Sequence, residues 1–239
     1  MSDLNLVLTS ETAQQSNFGQ TGFEFPQPLT EKYRPTQIAE FVGLDKVKRG
    51  MTRFVANPSA LNFLYLGKSG TGKTAMAFAV ANAIPAEIHH LASKECTLEA
   101  LQTLVKQCHY MPRMFNDWTP CKWHCWIIDE ADQMSPAAMI AMLSILDGTN
   151  RPPNTIIILT ANDDSNLNPD GSGRFMSRLV KFDFSNYGIS SEVTDLLQRV
   201  WLRETSNPVE TPNFQRIVKD SQNNVRASLM ALETEIMCS

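Results

Sequence analysis

From residue 28 onward, short runs of β-branched and aromatic residues alternate with longer stretches of helical periodicity. The runs at residues 61–66, 87–91, 123–128, 155–160 and 180–184 predict strands. Between them, residues 73–84, 98–110 and 136–147 predict helices. The last of these has clear punctuation, with Ser135 as N-cap, Pro136 at the first helical position and Gly148 past the end. Near-continuous apolar strands separated by helices imply a parallel sheet covered on both faces. After Tyr187-Gly188 the strand pattern stops. Ser190 can cap a helix to about residue 204, and Thr211-Pro212 opens another to about residue 220. A third, from about Asn224, sets Val225, Leu229, Leu232 and Ile236 on one face. The expected organisation is a polar tail (residues 1–27), an α/β domain with a five-stranded parallel sheet (28–186) and a small all-helical domain (187–239). The tail is rich in Gln, Ser, Thr, Asn and Gly, and Phe18, Phe23 and Phe25 make its end an aromatic segment able to dock.

Composition narrows the class. At 43% hydrophobic residues the 239-residue chain can bury a sizeable core, which excludes wholesale disorder. Its longest apolar run, residues 75–84 interrupted by Asn82, is about half of what a membrane span needs. The first residues lack the basic start and apolar core of a secretory signal. Five cysteines in a chain this long do not make a disulfide framework. These features predict a soluble, cytoplasmic protein without a membrane partner, with association to the nucleoid open. Charge is spread unevenly but nowhere strongly. The tail carries Asp3, Glu11 and Glu24 and no base, and residues 28–186 carry 16 basic and 15 acidic side chains. Nucleic acid would therefore be held by local contacts or by repetition around an oligomer, not by bulk charge.

The most specific pattern is Gly67-Lys68-Ser69-Gly70-Thr71-Gly72-Lys73-Thr74, between a predicted strand and a predicted helix. Here glycines let backbone N–H groups turn toward phosphates, and the helix N-terminus adds partial positive charge. Lys73 reaches the β/γ-phosphates and the Thr74 hydroxyl ligates Mg²⁺. The strand at 123–128 runs into Asp129, Glu130 and Asp132. Acids at the C-terminal end of a parallel strand face the crevice where ligands bind. Asp129 is placed to hold Mg²⁺, and Glu130 to orient or deprotonate an attacking water. A nucleoside triphosphate, with ATP and Mg²⁺ as the pair, and its hydrolysis are the expectation.

With these motifs in hand, residues from about 28 to 234 resemble the AAA+ ATPases, and among them the clamp-loader group typified by replication factor C small subunits. Glu31-Lys32-Tyr33-Arg34-Pro35 and Phe41-Val42-Gly43 are similar to the element that wraps the adenine in that group. Asp129-Glu130-Ala131-Asp132 matches its Walker B motif, and Leu159-Thr160-Ala161-Asn162 its sensor 1. Ser177-Arg178-Leu179 is similar to the element whose arginine reaches the neighbouring subunit's ATP, and Asn223-Asn224-Val225-Arg226 to the lid's sensor 2. Leu91-Ala92-Ser93 lies where the group has Asn-Ala-Ser, ahead of a helix lining the DNA channel. Departures include Lys68-Ser69 in place of two prolines and Leu179 in place of cysteine. The chain ends where the lid of that group ends, so no helical collar is expected in it.

The resemblance implies a homo- or hetero-oligomer with ATP at each junction. Asn162 would face the γ-phosphate and Arg226 would contact the nucleotide from the lid. Arg178 would be an arginine finger acting in trans, with Arg174, four residues earlier, as the rival. It also implies assembly on DNA and a protein client such as a sliding clamp or another recruited factor. An alternative is a nucleotide-gated ring or filament of a transposition or antiviral system whose main partner is a protein. A protein-unfolding motor would need an aromatic pore loop, and residues 92–97 have none.

Weaker constellations complete the reading. Cys108, His109, Cys121, His124 and Cys125 offer enough ligands for zinc. Their spacing is irregular and lacks a Cys-x-x-Cys pair, so they read as a core thiol and loop histidines. His89 and His90 alternate across a strand and cannot ligate one ion from the same face, so packing or solvent exposure accounts for them. Lys46, Lys48, Arg49 and Arg53 make a basic helix face, and residues 111–115 with Trp118 an apolar loop.

Overall fold

The structure, a computed structural model, describes residues 27–92, 94–109, 121–167, 173–205 and 211–238. The tail to residue 26, Ser93, and the apolar loop with Met111, Met114, Phe115 and Trp118 lie outside the described residues.

Five strands, β1 (Asn62–Leu66), β2 (Ala86–Ala92), β3 (Trp123–Asp129), β4 (Thr155–Ala161) and β5 (Val180–Asp183), pair in the order β2-β3-β4-β1-β5. Every pairing is parallel. The strand interiors alternate between two cores, as the pleat requires. Phe63, Tyr65, Cys125, Ile127, Ile156 and Ile158 enter one cluster. It is covered by α2 (Asp45–Ala56) and α3 (Lys73–Ala83). Leu64, Trp126, Ile128, Ile157 and Leu159 enter the other, under α4 (Leu98–Gln107) and α5 (Pro136–Leu146). β4 is buried along its whole length. Each such fully buried side chain contributes about 1.5–3 kcal/mol.

Beyond the sheet, α6 (Ser190–Glu204), α7 (Phe214–Asp220) and α8 (Val225–Cys238) pack around Val193, Leu197, Trp201, Val218, Leu229 and Leu232. Val225, Leu229, Leu232 and Ile236, the stripe expected from their spacing, all join this core. So does Leu29 of the short α1 (Leu29–Lys32), which precedes the sheet in sequence but docks on the helical unit. Lys32 and Tyr33 both donate to the Glu204 carboxylate, at 2.9 and 2.5 Å. Those two bonds hold Glu204 below the usual carboxylate range. Leu197→Ala is expected to destabilise the helical unit by about 2–5 kcal/mol, read by chemical denaturation.

Two helix starts differ from expectation. Ser190 is the first helical residue, preceded by Ile189 without a side-chain cap bond. Helix α7 begins at Phe214, where the Asn213 side chain accepts from the Arg216 N–H at 3.0 Å, not at Thr211-Pro212. A small polar residue beside a helix start serves as cap or as first turn according to its backbone angles, which local composition leaves undetermined. Likewise α4 ends at Gln107, short of the expected residue 110.

Candidate nucleotide-binding site

Strands β1, β3 and β4 present their C-terminal ends to one crevice, and each contributes there. The glycine-rich loop leaves β1 at Gly67, Asp129 ends β3, and Asn162 follows β4. Together with residues 30–35, the segment at Phe41 and Val42, and the facing side of the helical unit, they enclose a cavity of about 420 Å³.

Lys73, the first residue of α3, is only 8% exposed and donates to the Gly67 carbonyl at 2.6 Å, the Lys68 carbonyl at 3.0 Å and Asn162 Oδ1 at 3.0 Å. Burial lowers its pKa, and the buried Asp132 carboxylate acts against that shift. Asp132 also accepts from the Asn162 N–H, at 3.4 Å, which fixes the backbone that carries the Asn162 side chain.

Asp129 is held from three directions. Its Oδ1 accepts from the hydroxyls of Thr74 at 2.9 Å and Thr160 at 3.0 Å, and its Oδ2 lies 2.9 Å from His90 Nε2. His90 comes from β2, where the pairing sets Ala92 beside Asp129. Glu130 then turns out of the strand in a left-handed conformation, φ +53°, with its N–H bonded to Thr160 Oγ at 3.1 Å. The turn carries the Glu130 side chain to the cavity wall. A carboxylate and a hydroxyl 2.9 Å apart are hard oxygen donors of the kind Mg²⁺ takes, so Thr74 and Asp129 fit that ion.

The opposite wall is the helical unit. Leu196, Val225, Arg226 and Leu229 face the cavity, as do Tyr33, Arg34 and Pro35. Tyr33 turns its hydroxyl to Glu204, and burial with that bond pushes the phenol up to about 12. Arg226 is exposed, and its charge is among the influences that lower the Lys73 pKa. Asn224 joins the walls directly. Its side-chain NH₂ donates to the Ser69 carbonyl at 2.7 Å, and its Oδ1 accepts from Ala227 N–H at 3.1 Å as the cap of α8. Gly70, at φ +79°, is where this approach requires glycine, because a Cβ there would collide with the Asn224 amide. Asn224→Ala is expected to cost about 0.5–2 kcal/mol through the lost cap. It should also weaken ATP binding through the freed loop, both readable from melting curves with and without ATP.

Of the residues singled out in sequence, Tyr33, Arg34, Pro35, Val42, Ser69, Gly70, Thr71, Gly72, Lys73, Thr74, Asp129, Glu130, Asn162 and Arg226 share this cavity. Gly67 and Lys68 line a cleft on the other side of the loop, and Gly43 packs against Ile189 and Glu192. Arg178 is elsewhere. It sits in a single turn of 3₁₀ helix, paired with Asp147 and donating to the Arg174 carbonyl, while Arg174 is solvent-exposed. Thr160, Asn224 and His90 were missed as site residues. For Thr160 the signal was present, since residues two apart on a strand share a face and Asn162 follows β4. His90 and Asn224 depend on which elements the fold brings together.

The model of the ATPase family associated with various cellular activities (AAA) matches residues 63–182. Among curated relatives, replication factor C subunit 3 of Blastobotrys adeninivorans is 27% identical over 86% of this chain and 59% of its own length. A replication factor C small subunit of Thermofilum pendens is 28% identical over 85% and 61%. The chain thus spans about three-fifths of the length of these relatives. Among solved structures, the RuvB Holliday junction branch migration motor of Thermotoga maritima superposes with a TM-score of 0.63 at 18% identity, covering 84% of this chain and 64% of that one. That likeness concerns the fold. Among the described residues no helix is long and apolar enough to cross a membrane.

Proposed function

The chain belongs to the AAA family of ATPases, and from that premise we propose that it works as one subunit of an oligomeric ATPase that assembles on DNA and loads or recruits a partner protein there. The reading is carried by one observation. Lys73, Thr74, Asp129, Glu130, Asn162 and Arg226 converge on a single cavity between the sheet and the helical unit. Its extension to DNA and a client rests on the similarity to replication factor C subunits.

In this reading the residues divide the work. Lys73 exchanges two loop carbonyls and Asn162 for the β- and γ-phosphate oxygens, and its partly buried ammonium is worth more there than in water. Thr74 and Asp129 would hold Mg²⁺, which would neutralise charge on the phosphates. Thr160 and His90 keep the Asp129 carboxylate oriented. Glu130 orients the attacking water and accepts its proton. Asn162, released by Lys73, hydrogen-bonds the γ-phosphate or that water. Arg226 contacts the phosphates from α8, so lid position depends on whether triphosphate is bound. Arg178, or else Arg174, is supplied to the next subunit's site.

Steady-state ATP hydrolysis with and without primed DNA, at low salt, tests the reading. Stimulation by DNA is expected. Turnover indifferent to DNA, with no DNA binding in the presence of ATP, would overturn the DNA part and leave an assembly platform for a protein partner.

A further inference from the structure

Away from the cavity, on the sheet face covered by α4 and α5, three side chains from three elements point at one another. His89 of β2 and His124 of β3 bring Nε2 and Nδ1 to 3.0 Å, and the Cys108 sulfur, just past the end of α4, lies 3.5 Å from the same His89 nitrogen. The three ligand atoms all lie within 4.8 Å of one another. Glu87 pairs with His124 across the strands, and its Oε2 stands 3.7 Å from His124 Nδ1, outside the group of three. Cys108 and His124 are buried, at 0% and 2% exposure, and His89 is partly so.

A ring nitrogen carries one proton or one lone pair, and so serves one strong hydrogen bond at a time. One shared proton accounts for the His89–His124 contact. A tetrahedral Zn²⁺ with bonds of about 2.0–2.3 Å sets its ligand atoms roughly 3.3–3.6 Å apart. The His89–His124 and His89–Cys108 separations of 3.0 and 3.5 Å lie near that edge length, and the Cys108 sulfur lies within 4.8 Å of the His124 nitrogen. Two imidazoles and a thiolate are also ligand types that Zn²⁺ accepts.

We propose that His89, Cys108 and His124 form a zinc site that ties the end of α4 to strands β2 and β3, with a water molecule completing the tetrahedron. The sequence hides it because the ligands come from two strands and a helix end, with no short spacing motif. Alternation removes His90 from the group, as expected, but places His89 on the same sheet face as His124. His124 is a buried strand residue, not a loop one. The Trp126 indole N–H donates to Cys108 Sγ at 3.3 Å, the outer bond that holds a thiolate ligand in place. Binding displaces the Cys108 thiol proton to solvent, leaves the thiolate on the metal, and moves the proton shared by His89 and His124 to the remote nitrogen of its ring, so that both facing nitrogens offer lone pairs. The site joins the end of α4 to the sheet. It takes no part in the ATP chemistry.

The test uses the full chain without an affinity tag and without nucleotide, loaded with Zn²⁺ and freed of excess by gel filtration. One zinc retained per chain is expected by elemental analysis. Replacement by Co²⁺ should give a thiolate-to-cobalt charge-transfer band and the intense visible bands of a tetrahedral ion, which oxygen ligands at Thr74 and Asp129 cannot produce. His89→Gln and the near-isosteric Cys108→Ser should each lose the retained metal, with circular dichroism showing the fold intact. Wild-type protein that retains no zinc, or a Co²⁺ spectrum without the thiolate band, overturns the proposal without recourse to variants. Zinc kept at the wild-type level by folded Cys108→Ser protein does the same.

Discussion

Arg178→Ala should lower ATP turnover by about 10³- to 10⁵-fold, the contribution of an arginine finger, while each chain still binds ATP. In the single chain the Arg178 guanidinium is paired with Asp147 at the end of α5 and with the Arg174 carbonyl, outside its own cavity. In the proposed assembly its charge would act on phosphate across a subunit boundary, where a neighbour's γ-phosphate would replace Asp147 as its partner. The planar fork suits either partner, which a lysine ammonium does not imitate. A mixing experiment separates this from a folding defect. Arg178→Ala chains, whose own sites are intact, and Lys73→Ala chains, which keep their arginine, should recover part of the turnover when combined. If Arg178→Ala keeps wild-type turnover and Arg174→Ala loses it, the finger is the exposed Arg174.

Glu130→Gln should reduce turnover by about 10²- to 10⁴-fold, the usual share of a general base, with ATP affinity kept. The change removes the carboxylate charge and keeps the shape. The backbone bond from Glu130 N–H to Thr160 Oγ and the left-handed turn that aims the side chain do not depend on that charge. Bound ATP that persists in Glu130→Gln assemblies, measured by filter binding, is the expected signature. Loss of ATP binding would assign Glu130 to holding the nucleotide instead.

Much of the fold could be read from pattern because the strands are strongly patterned. The run Thr155-Ile156-Ile157-Ile158-Leu159 is buried on both faces, and only a central parallel strand accommodates it. The glycine-rich loop was legible because backbone that must approach phosphate leaves few residue choices. The contacts that tune the site were not. Leu29 docks on the helical unit rather than the sheet it precedes, and Asn224 bridges 155 positions of sequence to reach Ser69. His90 meets Asp129 because β2 lies beside β3, and Cys108 meets His89 and His124 because α4 packs in the core on that sheet face. Such meetings follow from strand order, which local composition does not encode. The Arg178–Asp147 pair belongs to the same class, as it joins a 3₁₀ turn to the end of a helix 31 positions earlier.

The most direct measurement is mass photometry of the purified chain with and without ATP and Mg²⁺, and with primed DNA added, using Lys73→Ala as the control. The expected result is the 26.8 kDa species alone without nucleotide, higher assemblies on DNA only with ATP, and none for Lys73→Ala. The same small species under every condition, or assemblies that form equally with and without DNA, would contradict an ATPase that works by assembling on DNA.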